Sequence, residues 1–206
     1  VTHNTVTAFS YAARNNLKTL IVCPSSLKLN WKREIKNFID EFSFVYKYNP
    51  PKRSNNINHP KEYCKYHIIN YESLDTYFKY EFKHKCSSSN CKFEIIDLEK
   101  QYNKCPHCAT PKSVKSRRVN LLEFEDKLGM TLNPEDYDLI ILDECHYIKN
   151  ESAQRTKLIK TAFKDVPKKI LISGTPIKNR PIEFFSILNF LRPEEFNSSH
   201  EFGRKY

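Results

Sequence analysis

Two adjacent carboxylates, Asp143 and Glu144, follow a continuous apolar run at residues 139–142. A run without polar alternation is typical of a strand buried on both faces of a parallel sheet. The carboxylates would then emerge at the carboxyl end of that strand, the edge where open α/β sheets bind ligands. There, one carboxylate can hold a magnesium ion and the other can orient or deprotonate an attacking water. The pair predicts phosphoryl-transfer chemistry, with a solvated loop as the alternative.

A second apolar run, residues 169–172, is followed by Ser173, Gly174 and Thr175. If this run is a parallel strand of the same sheet, its polar residues reach the same edge as the carboxylates. This matched pair of runs, together with His146, favours a functional site over a solvated loop.

Apolar runs alternate with segments of helical periodicity along most of the chain. Trp31 and Ile35 belong to one such segment, from Leu27 to Phe42, and Ser25 or Ser26 can cap the helix. The further predicted strands are 18–23 and 66–71, and the further predicted helices are 5–15, 121–127 and 151–163. Alternating strands and helices predict an α/β fold with a parallel, doubly wound sheet.

Composition limits the class of protein. Net charge is +10 over 206 residues, which favours a polyanionic partner, although a lysine-rich surface would explain it too. No apolar stretch approaches the length of about 18 residues that a membrane helix needs, and the amino terminus does not resemble a signal peptide. Seven cysteines, an odd number, do not form a secreted disulfide framework. We therefore expect an intracellular protein, whether in cytoplasm, nucleus or a virus-infected host cell.

Four of the cysteines form two short pairs, Cys86 with Cys91 and Cys105 with Cys108. This spacing predicts a zinc-ribbon-like module in which four thiolates bind structural zinc. His84 is a substitute ligand if one cysteine fails, whereas His107 is a bystander. The basic stretch 112–118 could grip a DNA backbone or form a solvated linker.

Asp-Glu-x-His followed by Ser-Gly-Thr-Pro resembles motifs II and III of superfamily-two helicases, and the first of these is a DEAH-like box. The longer string Ser-Gly-Thr-Pro-Ile-Lys-Asn-Arg-Pro-Ile-Glu-Phe-Phe, residues 173–185, is similar to that of the Swi/Snf-type ATPases. Residues 20–27 look like the motif Ia of that family, and residues 68–72 look like its motif Ib. The resemblance covers the chain apart from the cysteine segment.

The resemblance implies a first RecA-like lobe, formed by residues 1–83 and 119–206, with residues 84–118 as the zinc insertion. It implies that Asp143 holds magnesium for ATP and that Glu144 acts on the hydrolytic water. His146, Ser173 and Thr175, with Gly174 in the same loop, would couple the nucleotide state to DNA contacts. In this family the enzyme is a DNA-stimulated ATPase that translocates on double-stranded DNA, remodels DNA-bound proteins in the manner of chromatin remodelling, and needs a second helicase lobe.

Several residues are expected to contact the DNA backbone. Some are implied by the same resemblance. Others lie at the amino terminus of the helix after the first strand, where backbone N–H groups and serine hydroxyls can bind phosphate. Together these residues are Pro24, Ser25, Ser26, Asn70, Lys178 and Arg180. For Asn70, a structural role at the end of its strand is the alternative.

The phosphate loop of the family has no counterpart here. If Thr5 matches the final threonine of that loop, as a nucleotide-binding residue, then Asn4 replaces its lysine and His3 replaces a glycine. Either an intact loop lies upstream in the natural protein, or the lobe has degenerated. The second explanation would leave a non-catalytic, zinc-containing DNA-binding relic. On either explanation we expect this polypeptide alone to bind ATP poorly and to be inactive as a motor.

Overall fold

The structure, a computed structural model, describes residues 3–47, 59–127, 129–174 and 181–206. The chain divides into two compact units. The first combines Val1–Leu74 with Asn133–Tyr206, and the second is Asp75–Leu132. The second unit begins earlier and ends later in the sequence than the insertion predicted at 84–118.

Within its described residues, the first unit contains a five-stranded sheet in which all neighbouring strands run parallel. Its strands are β1 (Thr19–Cys23), β2 (Ser43–Val45), β3 (Tyr66–Asn70), β7 (Leu139–Leu142) and β8 (Lys168–Leu171). They lie in the order β2-β3-β1-β7-β8. Every residue of β1, β3 and β7 is buried, as expected for central strands covered on both faces. The predicted α/β fold with a parallel sheet is therefore confirmed.

The helices of the first unit precede, connect and follow these strands in the chain. They are α1 (His3–Arg14), α2 (Lys28–Ile39), α4 (Gln154–Ala162), α5 (Ile182–Leu191) and α6 (Ser199–Lys205), and the short α3 (Leu74–Tyr77) leads into the second unit. Phe9 of α1 and Trp31 of α2 meet edge to face at 6.5 Å between ring centroids. Both rings belong to the core that includes Ile21 and Ile141 of the central strands. This core fixes the carboxyl ends of β1 and β7.

The prediction that α2 extends to Phe42 is wrong. Asp40 follows the last helical residue with φ of 54°, in the left-handed region that ends helices. Phe42 therefore leaves the helical face and is 47% exposed.

The second unit is an antiparallel three-stranded sheet in the order β5-β4-β6, formed by β4 (Phe78–Cys86), β5 (Glu94–Asp97) and β6 (Val114–Glu123). The helix predicted at 121–127 is wrong, because Leu121 and Leu122 pair with Tyr80 and Lys79 in the ladder between β4 and β6. Cross-strand pairing outweighs helical periodicity in so short a segment.

A buried histidine, His67 of β3, makes the first unit sensitive to acid. Its Nδ1 lies 2.7 Å from the Tyr137 hydroxyl, and its Nε2 lies 2.9 Å from the carbonyl oxygen of Cys64. A neutral ring satisfies both contacts, with Nε2 donating and Nδ1 accepting. Burial lowers the pKa of His67 from 6.5 to about 4.

We expect the unfolding free energy to fall by about 3 kcal/mol as pH drops from 7 to 4, because the unfolded chain protonates His67 near pH 6.5 and the folded chain only near pH 4. Urea unfolding across this pH range measures it. A His67→Gln variant should lose this part of the pH dependence, whereas His200→Gln, at an exposed position, should retain it. Equal pH dependence in the His67 variant would contradict the assignment.

No helix in the described ranges is long and apolar enough to cross a membrane.

Candidate functional site

The predicted carboxylates lie at the carboxyl end of β7, as expected. The backbone N–H of Asp143 donates to the carbonyl of Val22, at 2.9 Å, which continues the pairing of β7 with β1 by one residue. Glu144 then turns the chain with φ of 51° and ψ of 52°. The two side chains differ in burial, since Asp143 is buried while Glu144 is partly exposed.

Both carboxylate oxygens of Asp143 accept hydrogen bonds. The Trp31 indole Nε1–H donates to Oδ2 over 2.7 Å, and the backbone N–H of Glu144 donates to Oδ1 over 2.9 Å. Burial raises the pKa of Asp143, while these two hydrogen bonds oppose the rise. Each oxygen keeps a further lone pair that a cation or its water could use.

A Trp31→Phe substitution keeps an aromatic ring in the core but removes the only donor of the indole. We expect it to lower the unfolding free energy by about 1–3 kcal/mol, because a buried carboxylate oxygen loses its partner. Urea unfolding measures the cost. In an Asp143→Asn background the cost should shrink, since the charged acceptor is gone. An identical cost in both backgrounds would show that packing alone is responsible.

An aromatic cluster supports the backbone at the same place. The Tyr71 hydroxyl donates to the carbonyl oxygen of Asp143 over 2.8 Å. Its ring stacks on Tyr147 with 4.9 Å between centroids and 12° between planes. The Arg155 guanidinium lies 4.9 Å from the Tyr147 centroid and 3.5 Å from a carboxylate oxygen of Glu72. The cluster therefore links the predicted motif Ib segment to the turn after β7.

His146 approaches the second carboxylate. Its Nδ1 lies 3.1 Å from Oε2 of Glu144, without the alignment of a hydrogen bond to any residue that the structure describes. The side chains of Glu144 and His146 are about one third exposed. Both side chains are therefore accessible to a ligand that binds at this edge of the sheet, next to the buried Asp143.

Ser173 and Gly174 reach the same edge of the sheet. Ile172 extends β8 by donating to Leu142, and its carbonyl accepts from the N–H of Cys145, each over 2.8 Å. Ser173, the next residue, therefore lies close to the turn that carries the carboxylates. The third residue predicted for this loop, Thr175, lies outside the described residues, as do Lys178 and Arg180.

The segment after β1 differs in detail from the prediction. Ser25 and Ser26 form a 3-10 turn and are exposed. Neither caps α2, whose N-cap is Leu27 without a side-chain hydrogen bond, so the predicted cap is wrong. Their hydroxyls and the preceding Pro24 remain at the carboxyl edge of the sheet, where the DNA contact was predicted.

Asn70, at the end of β3, is buried. Its amide donates to Glu72 over 3.0 Å and accepts from the Ser73 hydroxyl over 2.8 Å. These contacts favour the structural alternative for Asn70. Thr5, the predicted nucleotide-binding residue, lies buried in α1. A concavity of about 730 Å³ between α1 and β8 is lined by Asn4, Thr7, Ala8, Tyr11 and residues 168–173.

Sequence reasoning missed three contributors to the site: the indole donor of Trp31, the hydroxyl of Tyr71 and the buried carboxylate of Glu34. Glu34 lies one turn after Trp31, and its charge contributes to the raised pKa of Asp143. A signal existed for the two aromatic residues, since buried Trp and Tyr generally need a partner for their polar atom. Nothing in the linear pattern identifies that partner.

The second unit brings four sulfur atoms together. The Sγ atoms of the four predicted ligands all lie within 4.8 Å of one another. Cys86 and Cys108 are separated by 3.8 Å, and Cys91 and Cys105 by 3.7 Å. A disulfide requires about 2.05 Å, whereas zinc–sulfur bonds of about 2.3 Å in a tetrahedron place the sulfurs about 3.8 Å apart. The arrangement fits a tetrahedral metal ion.

The two histidines near this cluster have other contacts. His84 is buried, with Nδ1 2.7 Å from the Ser116 hydroxyl and Nε2 3.1 Å from an oxygen of Asp97. Both ring nitrogens are occupied, which argues against its predicted use as a substitute ligand. His107 is exposed, with Nδ1 3.5 Å from the sulfur of Cys91.

Comparison with known proteins identifies the family of the chain. The family model described as SNF2-related domain matches residues 4–206. A Caenorhabditis elegans homolog of SWI/SNF-related matrix-associated actin-dependent regulator of chromatin subfamily A-like protein 1 is 39% identical over 189 residues, which are 91% of this chain and 19% of that protein. DNA annealing helicase and endonuclease ZRANB3 of Bos taurus is 33% identical over 75 residues, which are 36% of this chain and 7% of that protein.

Among solved structures, the SWI2/SNF2 ATPase core of Sulfolobus solfataricus in complex with dsDNA matches with a TM-score of 0.55 and 21% identity, over 98% of this chain and 31% of that one. At this identity the match supports the fold. The chain spans less than a fifth of the length of the two relatives above. The chain belongs to the SNF2-related domain family and corresponds to the first RecA-like lobe of the Swi/Snf-type proteins of superfamily two.

Proposed function

We propose that this lobe provides the hydrolytic carboxylates of a DNA-stimulated ATPase that translocates on double-stranded DNA and remodels its protein complexes. The observation that carries the proposal is the position of Asp143 and Glu144 at the carboxyl end of β7, with Ser173 next to them. Two carboxylates of unequal burial at this edge suit two roles, one with a cation and one with water.

Asp143 is the candidate for holding magnesium. Magnesium bound with ATP would neutralise charge on the phosphates. Trp31 and the Glu144 N–H fix the orientation of the Asp143 carboxylate before any ligand arrives, which avoids reorganisation when the ligand binds. Burial disfavours the ionised form of Asp143 and raises its pKa. A cation bound next to the carboxylate would favour the ionised form again, since an opposite charge nearby stabilises it.

Glu144 is the candidate for orienting or deprotonating the attacking water. Its partial exposure lets a water reach it. His146 lies close enough to respond to the charge of Glu144. With Ser173, Gly174 and Thr175, His146 would couple nucleotide state to DNA contacts.

Double-stranded DNA is the proposed partner. The exposed Ser25 and Ser26, after Pro24, lie where they can contact phosphate. We include Lys178 and Arg180 among the DNA contacts because of their position in the family motif. Contacts of this kind read the backbone and confer little sequence preference. We place the protein inside the cell, acting with a second lobe on DNA and on DNA-bound proteins.

ATP turnover also requires a phosphate loop, for which residues 3–5 are poor candidates because they contain no glycine or lysine. Our proposal therefore assigns the loop and the second lobe to a longer polypeptide that includes this lobe. Its test is ATP turnover by the full-length protein with and without duplex DNA, together with the codons upstream of Val1. Stimulated turnover supports the ATPase. DNA binding without any turnover, and no upstream Gly-x-Gly-Lys-Thr sequence, would instead support the non-catalytic relic.

We also propose that Cys86, Cys91, Cys105 and Cys108 bind a structural zinc ion. Their separations suit tetrahedral coordination. The apolar cluster around them has only three buried members, namely Cys86, Cys105 and Val114. Even with the buried Tyr77, Phe78 and Leu132 elsewhere in the unit, this is a small core for a three-stranded sheet, and metal binding would add folding free energy.

A further inference from the structure

One face of the antiparallel sheet in the second unit carries a block of positive charge. The register of β4 and β6 pairs Lys83 with Arg117 and Lys85 with Lys115. Side chains two residues apart on a strand share a face, so all four cations lie on the same side. Their backbones lie within about 5 Å across the strands and about 7 Å along them. We refer to these four residues as the basic face.

Like charges directly opposite each other destabilise a sheet, and the basic face has two such pairs. Glu94 of β5 compensates part of the charge, since it pairs with Lys83 and lies 3.8 Å from Lys85. Lys115 and Arg117 make no ion pair or side-chain hydrogen bond with any residue that the structure describes. The four cations and Glu94 have a net charge of +3, and Glu81 and Lys79, the next residues on the same face of β4, have opposite charges that offset each other.

The basic face is open to a ligand. Lys85, Lys115 and Arg117 are exposed, the side chain of Lys85 by 73%. The four residues, with Glu94 and Ser116, line a shallow concavity of about 300 Å³. A linker in this segment would let its charges move apart, but Lys115 and Arg117 lie in the part of β6 that pairs with β4 in continuous register, which holds the charges together.

The opposite face of the sheet differs from the basic face. The alternate residues of β4, namely Tyr80, Phe82, His84 and Cys86, lie on this second face, where Cys86 belongs to the four-sulfur cluster and His84 contacts Asp97. Arg118 belongs to that second face, where it lies over the rings of Tyr80 and Phe82. Arg118 is therefore used in packing, whereas the side chains of the basic face are available to an anion.

We propose that the basic face binds the phosphate backbone of double-stranded DNA, as a contact separate from the lobe residues at the carboxyl edge of the parallel sheet. Closely spaced cations that repel one another favour a ligand with regularly repeated negative charges, and binding would release the counterions that DNA holds. The proposal depends on the proposed function only for the identity of the polyanion as duplex DNA.

The test compares two variants of the whole chain that remove the same charge. Lys115→Gln/Arg117→Gln removes half of the basic face, whereas Lys100→Gln/Lys127→Gln removes two exposed lysines of the same unit outside its strands. Fluorescence anisotropy with random-sequence duplexes, over a series of salt concentrations, gives the affinity and its salt dependence.

We expect the first variant to bind duplex DNA about tenfold more weakly near 0.1 M salt, with a slope of log K against log salt smaller by about 1.8, since two phosphate contacts are lost. The loss should be equal for unrelated sequences. The second variant should keep the parental slope. The first variant should also unfold no more readily than the parent, because both like-charge pairs have been relieved, which separates lost binding from misfolding.

Parental affinity and slope in the first variant would overturn the proposal while leaving the proposed function intact. An equal loss in both variants would also overturn it, by showing general charge attraction. A preferential loss of binding to polyglutamate or to anionic vesicles, with duplex binding unchanged, would assign the face to another polyanion. If the parent chain itself binds no duplex, this inference fails, whereas the proposed function is still decided by ATP turnover of the full-length protein.

Discussion

Replacing Glu144 with Gln is expected to lower DNA-stimulated ATP turnover of the full-length protein by about 10²–10⁴-fold, the usual contribution of a positioned general base. The amide keeps the size of the side chain but cannot accept the proton of water. Asp143 keeps its hydrogen bonds, since the N–H of residue 144 belongs to the backbone. The measurement is steady-state phosphate release at saturating ATP and duplex DNA.

Glu135→Gln is the matched control, because it makes the same chemical change at an exposed position of the same unit. It should leave turnover unchanged. Affinity of the Glu144 variant for duplex DNA should remain within about twofold of the parent, since the carboxylate is not placed against phosphate. Unchanged turnover in the Glu144 variant would remove it from the hydrolytic role, and a matching loss of DNA affinity would point to a folding defect.

Replacing Cys105 with Ser is expected to unfold the second unit and to abolish binding of one zinc ion per chain. Structural zinc sites contribute about 10–16 kcal/mol in small domains, and among its described residues the second unit has only a small apolar core besides this cluster. The first unit, with its own core of α1, α2 and the parallel sheet, should stay folded. Zinc released on thiol modification measures the stoichiometry, and amide NMR spectra report the two units separately.

The control for this substitution is Cys64→Ser, which changes a buried cysteine of the first unit, outside the four-sulfur cluster. It should retain the zinc and the spectrum of the second unit. A chelator should reproduce the effect of Cys105→Ser on the parent chain, and added zinc should reverse it. A folded second unit in the absence of bound metal would contradict the structural role.

Strands β1, β3 and β7 were predicted to within one residue at either end. Each is a short apolar run that is buried on both faces, so its composition alone indicates its environment. The short region 121–127 was predicted as a helix because its periodicity is ambiguous. Its true partner, β4, lies about 40 residues earlier, and no local pattern encodes that pairing.

Cysteine spacing located the four-sulfur cluster, and the family motifs located the carboxylate pair and the loop at Ser173, because each pattern consists of residues close together in the chain. The Swi/Snf resemblance drawn from them is confirmed by the family match over residues 4–206. The hydrogen bond from Trp31 to Asp143 spans 112 residues and that from Tyr71 spans 72. Such contacts arise when α2 and β3 pack beside β7.

Local order along the chain thus specified the parallel α/β architecture, the position of Asp143 and Glu144 after a buried strand and the spacing of the four cysteines. Folding specified the partners that orient Asp143, the internal hydrogen bonds of Asn70 and the sorting of Lys83, Lys85, Lys115 and Arg117 onto one face. The physical reason is that motif chemistry depends on neighbours along the chain. Orientation, burial and charge clustering depend on strand register and helix packing, which join residues far apart in sequence.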